Sequence, residues 1–164
     1  EAPLSNACVS NMTVAENLAF RHFDRHPFTR LKWALRHGEF KKHARSKIAE
    51  YKIKTPGPDA PIGTLSGGNV QRAVLARELS DDVSLLIAAN PCFGLDFAAV
   101  SEIRTRIMAA RNGGTAVLLV SADLEEIFAL ADRIVVMSEG RLVFETPTEG
   151  ADLRDIGRHM AGHH

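Results

Sequence analysis

The sequence predicts an α/β fold: a parallel sheet with flanking helices, preceded by an α-helical part. Three observations carry this. Downstream of residue 80, short apolar runs alternate with helical patterns, as when parallel strands are buried on both faces. Upstream, Thr13-Val14-Ala15-Glu16 has the form of a capping box and is followed by polar, basic helical stretches. Between them, Thr55-Pro56-Gly57-Pro58-Asp59-Ala60-Pro61 holds three prolines and a glycine, which excludes helix and central strand. The chain of 164 residues is about one domain long, with a helical part over 1–80 and a sheet part over 81–164.

Each element follows from local chemistry. Residues 1–12 read as irregular. The capping box starts a helix that runs to about His22. Pro27 restricts the residue before it, so a second helix near Thr29–His37 is separate, and Gly38 can end it. A third, basic helix covers Phe40–Tyr51, and Thr55–Pro61 is an exposed connector. Ser66 can cap a helix running to about Leu79. Val83–Ala88 reads as a strand, Ala98–Arg111 as a helix, Asn112-Gly113-Gly114 as a turn and Ala116–Val120 as a strand. Asp123–Ala131 is a short helix. Ile134–Met137 and Leu142–Phe144 flank Ser138-Glu139-Gly140-Arg141 as a hairpin.

Composition removes several classes. Hydrophobic residues make up 45% of the chain, which excludes intrinsic disorder. No apolar run is long enough to span a bilayer, and no signal peptide opens the chain. Glu1, not Met, is first, as expected of a piece of a longer polypeptide. Cys8 and Cys92 are too few for a disulfide or zinc framework and read as free thiols of a reducing cytosol. The net charge is zero but unevenly spread. Residues 21–54 contain eleven Lys and Arg against Asp24, Glu39 and Glu50, so this stretch carries +8 and the remainder −8. Such a block suits nucleic acid, anionic lipid or a plain solvated helix face. His22, His26, His37 and His43 are spaced irregularly, as surface histidines are. Trp33 reads as an apolar anchor, and His163-His164 as native sequence or the start of a tag.

Leu65-Ser66-Gly67-Gly68-Asn69-Val70-Gln71-Arg72 follows the connector. The first amides of a helix point outward unpaired, and two glycines leave an approaching anion unobstructed, so this start is a plausible phosphate grip. The segment resembles the Leu-Ser-Gly-Gly-Gln signature of ABC-type ATPases. Leu85–Pro91 sits where that family has its Walker B strand, Gly94-Leu95-Asp96 matches its D-loop, and Ser121-Ala122-Asp123-Leu124 its switch segment. The resemblance covers nearly the whole chain, beginning after the family's Walker A and Q-loop; no Gly-x-x-x-x-Gly-Lys-Ser/Thr pattern occurs. Thr55–Gln71, Ala88-Ala89-Asn90-Pro91 and Asn69 in place of Gln look like the second nucleotide-binding domain of tandem bacterial sugar or nucleoside importers, with a lean towards nucleosides. The resemblance implies a partial P-loop NTPase core plus an α-helical signature subdomain.

Three expected residues are missing. The family's magnesium-holding Asp is Ala89, and a methyl group cannot ligate a hard cation. Its catalytic Glu is Asn90, which has no basic oxygen to take a proton. Its switch His is Ala122, which cannot donate to a phosphate. No catalytic residue is therefore intact, and no metal ligand is expected. In the family, two such domains meet head to tail, each signature capping the ATP on the opposite Walker A. Ser66, Gly67, Gly68 and Asn69 would thus touch the partner domain's ATP. Asp96 would lie at the dimer interface and also cap the helix from Phe97. ATP and magnesium would be held mainly by the partner domain, and the isolated chain would be inactive. Cys92 has no catalytic role, and Arg72 reads as an ordinary exposed residue.

The resemblance further implies transmembrane permease subunits, a solute-binding protein and a peripheral place on the cytoplasmic face of the bacterial membrane. The basic block would face permease loops or lipid headgroups. Two other readings compete: a nucleic-acid-associated ABC ATPase, and a non-enzymatic interaction module. The absence of a long heptad insertion and the low aromatic content argue against nucleic acid, and the retained Ser66-Gly67-Gly68 argues for an arriving phosphate.

Overall fold

The computed structural model describes residues 3–31, 33–79 and 83–162. Lys32 of the basic block and the terminal His163-His164 lie outside them. The chain forms two compact units: Glu1–Leu86 with Pro91–Ala116, and Ile87–Asn90 with Val117–His164.

The first unit holds α1 (Pro3–Asn6), α2 (Val14–Leu18), strands β1 (Thr29–Arg30) and β2 (Ala34–Leu35), α3 (His37–Glu50), a 3₁₀ turn (Ile62–Thr64) and α4 (Gly67–Glu78). It also holds α5 (Phe97–Asn112). Its core is built from Val14, Leu18, Phe28, Phe40, Ala44, Tyr51, Ile53, Ile62, Val70 and Ala73. The capping box is present: Glu16 N donates to Thr13 Oγ1 at 3.1 Å, and Thr13 N donates to Glu16 Oε2 at 2.8 Å.

Five expectations are corrected here. Residues 1–12 include the short helix α1, which packs on α4. Asn17, 2% exposed, pins the following loop by accepting from Val9 N at 2.9 Å and donating to the Val9, Met12 and Thr13 carbonyls. The α2 helix stops at Leu18, not His22. Bonds from His22 N to Ala19 O, Arg25 N to His22 O and Phe28 N to Arg25 O wind the chain in three-residue turns that deliver Phe28 to the core. The helix expected at Thr29–His37 is the β1–β2 hairpin, with Thr29 opposite Leu35. Leu31 has φ 55°, which no right-handed helix admits. Gly38 sits in the first turn of α3 and ends nothing. Trp33 is 78% exposed and anchors no core.

The proline-rich connector is half-buried, not fully exposed. Its Ala60 and Pro58 carbonyls accept from Val14 N and Ala15 N at 2.9 and 3.0 Å. The opening amides of a helix lack intrahelical acceptors, and this loop supplies them.

Strands β3 (Leu85–Ala89) and β4 (Ala116–Val120) pair, and Ala116 N to Ser84 O and Asn90 N to Val120 O advance in the same sense, so they run parallel. Burial on both faces was expected and is not seen. Leu86 and Ala88 are buried, whereas Leu85, Ile87, Leu118 and Val120 are more than half exposed. Alternate side chains of a strand point to opposite faces, and the described residues cover one.

The second unit also contains α6 (Leu124–Leu130), β5 (Arg133–Ser138), β6 (Arg141–Pro147) and α7 (Leu153–Met160). β5 and β6 form the expected antiparallel hairpin, turned by Glu139 and Gly140, both at positive φ. The α7 helix, not foreseen from the sequence, is capped by Asp152 and buries Ile156 against Ile134 and Val136. His159 stacks on Phe144 with ring centroids 4.3 Å apart.

Candidate functional site

The signature segment lies at the start of α4. Ser66 is its N-cap residue in extended conformation, but its hydroxyl makes no capping bond. The Oγ instead accepts from Asn69 Nδ2 at 2.8 Å, while Asn69 Oδ1 accepts from Lys54 N at 2.8 Å. Asn69 therefore ties the helix start to the chain leaving α3, and a glutamine would reach past this short clasp. The Gly67 and Gly68 amides have no partner among the described residues. Gly67 is exposed, and a Cβ there would meet nothing within 4 Å. A Cβ on Gly68 would come within 3.2 Å of Leu95 Cδ2. One glycine thus leaves outer space open, and the other lets the D-loop-like segment approach.

That segment is fixed from both ends. Gln71 Nε2 donates to the Pro91 carbonyl. Leu95 N donates to Cys92 O, with Gly94 at φ 72°, a left-handed turn suited to glycine. Asp96 caps α5 through Ala99 N at 2.9 Å and remains exposed. Sequence reasoning missed the two aromatics beside it: Phe93 and Phe97 are 78% and 90% exposed. Their signal was a pair of phenylalanines flanking Gly-Leu-Asp, where solvated residues are ordinary.

The three altered positions belong to the second unit. Ala89 ends β3 and is exposed, as is Ala122. Asn90 has φ 46°, and its Oδ1 accepts a long bond of 3.4 Å from Ala122 N. Asn tolerates left-handed backbone better than most residues. The structure thus brings two of the three altered positions into contact through a side chain that tethers the switch segment. Asp123 caps α6 through Glu125 N at 2.9 Å and Glu126 N at 3.4 Å. Neither Cys8 nor Cys92 is in a disulfide, and burial pushes the Cys8 thiol up. Arg72 is half-buried, donating to Lys52 O at 3.0 Å.

The two places differ in what they can hold. The Ser66–Gly68 helix start offers unpaired amides and a hydroxyl, which suit a phosphate oxygen. The Ala89, Asn90 and Ala122 positions offer no carboxylate or imidazole. Among the described residues no group of three His, Cys, Asp or Glu side chains is placed to hold a metal ion.

No family profile matches the chain. It is 38% identical over 154 residues to the guanosine import ATP-binding protein NupO of Bacillus subtilis, covering 94% of this chain and 30% of that protein. The nucleoside import ATP-binding protein NupA of Lactococcus lactis subsp. cremoris is 35% identical, with the same two coverages. A glucose import ATP-binding protein of Haloferax volcanii is 44% identical over 130 residues, 78% of this chain and 24% of that one. The chain therefore spans about a third or less of the curated relatives' length. Among solved structures, the ATP-binding cassette MJ0796, a dimer in a post-hydrolysis state bound to ADP and Pi, superposes with a TM-score of 0.70 at 20% identity. That match covers 87% of this chain and 60% of that one. By sequence, the chain is a homologue of the ABC ATP-binding proteins of sugar and nucleoside import, and its fold is that of an ABC ATPase cassette.

Proposed function

We propose that this chain donates its signature segment to an ATP site held by a second nucleotide-binding domain, while its own hydrolytic positions are inactive. One contrast carries the reading. The Ser66–Gly68 start is open, with unpaired amides, whereas Ala89, Asn90 and Ala122 supply no carboxylate and no imidazole to hold a metal or take a proton from a water. Ser66, Gly67, Gly68 and Asn69 would face the partner's ATP, with Asp96, Phe93 and Phe97 at the contact between domains. ATP, when bound by the partner domain, would supply the γ-phosphate that the Gly67 and Gly68 amides receive. Magnesium does not fit this chain's own residues and would be held by the partner.

The relatives' names support import of a sugar or nucleoside as the work of the whole protein, with permease subunits and a solute-binding protein completing it on the cytoplasmic membrane face. Among the described residues no helix is long and apolar enough to cross a membrane. No nucleic-acid partner is proposed. The isolated chain should not hydrolyse ATP.

The test is Ser66→Arg in a full-length protein carrying this chain. The long cation would occupy the space of the opposing phosphate, and transport-coupled hydrolysis should be lost with the fold intact. A correctly assembled transporter with this change and normal ATPase activity refutes the reading. Restoring Ala89→Asp, Asn90→Glu and Ala122→His together should change nucleotide trapping and leave solute preference alone, because none of them should reach the solute; single restorations should do little, because groups acting as a unit are non-additive.

A further inference from the structure

Five large hydrophobic side chains in the described residues up to 79 stand out in solvent, and four fall within thirteen residues: Phe23, Leu31, Trp33 and Leu35. Leu31 and Trp33 are 72% and 78% exposed, beside the turn that joins β1 to β2. A monomer gains nothing from holding a tryptophan in water at a hairpin turn. The same segment is cationic. Arg30 and Lys42 are exposed and have no acidic partner among the described residues. Arg25 meets Asp24 only at 3.9 Å. The acids nearby are engaged: Glu39 pairs with Arg36 at 3.1 Å, and Glu50 with Lys47 at 2.9 Å. At the base of the hairpin, a groove of about 490 Å³ is lined by Arg25, Lys42, Lys47 and three histidines around Phe28, with Glu39 its one acid.

We propose that the β1–β2 hairpin and this groove form a contact surface for an anionic lipid bilayer. Apolar side chains at a tip flanked by arginines are the composition of an interfacial anchor, and Trp prefers the headgroup level of a membrane. Each Lys or Arg near an anionic leaflet adds attraction, and the +8 block supplies an excess of them. The groove accepts a headgroup phosphate while the hairpin turn enters the acyl boundary. The inference is independent of the nucleotide reading, because none of its residues belongs to the signature, D-loop or switch segments.

Trp33 is the chain's single tryptophan, so its own fluorescence reports the contact. The 164-residue chain is titrated with vesicles of phosphatidylglycerol in phosphatidylcholine, and with phosphatidylcholine alone. The emission should shift to shorter wavelength with the anionic vesicles only, be quenched by brominated acyl chains, and revert at high salt. In co-sedimentation, Arg30→Ala should weaken partitioning about five-fold and Trp33→Ser about ten-fold, the factors that one surface charge and one large apolar side chain represent. Quenching of the unaltered chain keeps the test valid if a variant fails to fold. An unshifted spectrum overturns the proposal. So does equal binding to neutral vesicles, or a response to glycerol 3-phosphate alone, which would make the groove a site for a free phosphate.

Discussion

Asn90 stands where the resemblance places a catalytic carboxylate, and its conformation makes a measurable demand. At φ 46° an alanine suffers the Cβ–carbonyl crowding of left-handed backbone, about 1–2 kcal/mol for ordinary L-residues and less for asparagine. The bond from Ala122 N to Oδ1 is 3.4 Å long, so its loss sits at the low end of the usual range, about 0.5 kcal/mol. Asparagine already bears part of that strain, so Asn90→Ala should destabilise by up to about 1.5–2.5 kcal/mol. Asn90→Gly loses the same bond and adds chain entropy but relieves the crowding, so it should cost about 1 kcal/mol. Asn90→Glu should behave as alanine does, because its longer side chain cannot reproduce the short tether. Urea unfolding followed by circular dichroism, compared at constant m-value, gives the order Asn, then Gly, then Ala and Glu. Glycine as costly as alanine, or a neutral alanine variant, would refute a left-handed Asn90. The altered residue would then be a vacancy in the catalytic apparatus and no structural tether.

Three further outcomes are expected. Thr13→Ala removes the capping box at α2 and should cost about 1 kcal/mol by thermal unfolding. The Thr13 hydroxyl, and then its backbone N–H, hold the Glu16 carboxyl below the usual range. That contribution is complete above the unfolded-state value and is lost as pH falls through the folded one, so the variant should show a weaker acid dependence than the parent. Arg77 is 7% exposed and donates to Ala7 O at 2.8 Å and Glu78 Oε1 at 2.7 Å; Arg77→Ala should destabilise by about 2–3 kcal/mol, because Glu78 keeps Arg21 at 2.6 Å. Unchanged unfolding would show that these bonds carry nothing. Phe97→Ser should leave stability within about 0.5 kcal/mol yet weaken association with a partner nucleotide-binding domain in analytical ultracentrifugation; unaltered association removes Phe97 from that contact.

Much of this was legible from sequence where the cause is local. Thr13 and Glu16, Asp96, Asp123 and Ser66 all start helices because a short polar side chain or an extended backbone at that position sets the first turn. Ala116–Val120 and the Ser138–Arg141 turn were likewise readable, since apolar β-branched runs and a Glu-Gly pair state their preference without help. The order of signature, strand, D-loop and switch carried the resemblance because spacing is itself sequence information.

Tertiary structure alone decided the rest. Thr29–His37 has helix-compatible composition, yet it is a hairpin, because Phe28 is drawn into the core and Arg36 N closes on Phe28 O at 2.8 Å. The connector's composition says only that it cannot be helix; that its carbonyls serve α2 depends on a contact more than forty residues away. Asn90 reads in sequence as a lost base, and only its φ and its reach to Ala122 N show what it does instead. Exposure of Phe93, Phe97 and Trp33 was equally hidden, since hydrophobicity states what a side chain prefers and only the packed chain determines whether it is satisfied.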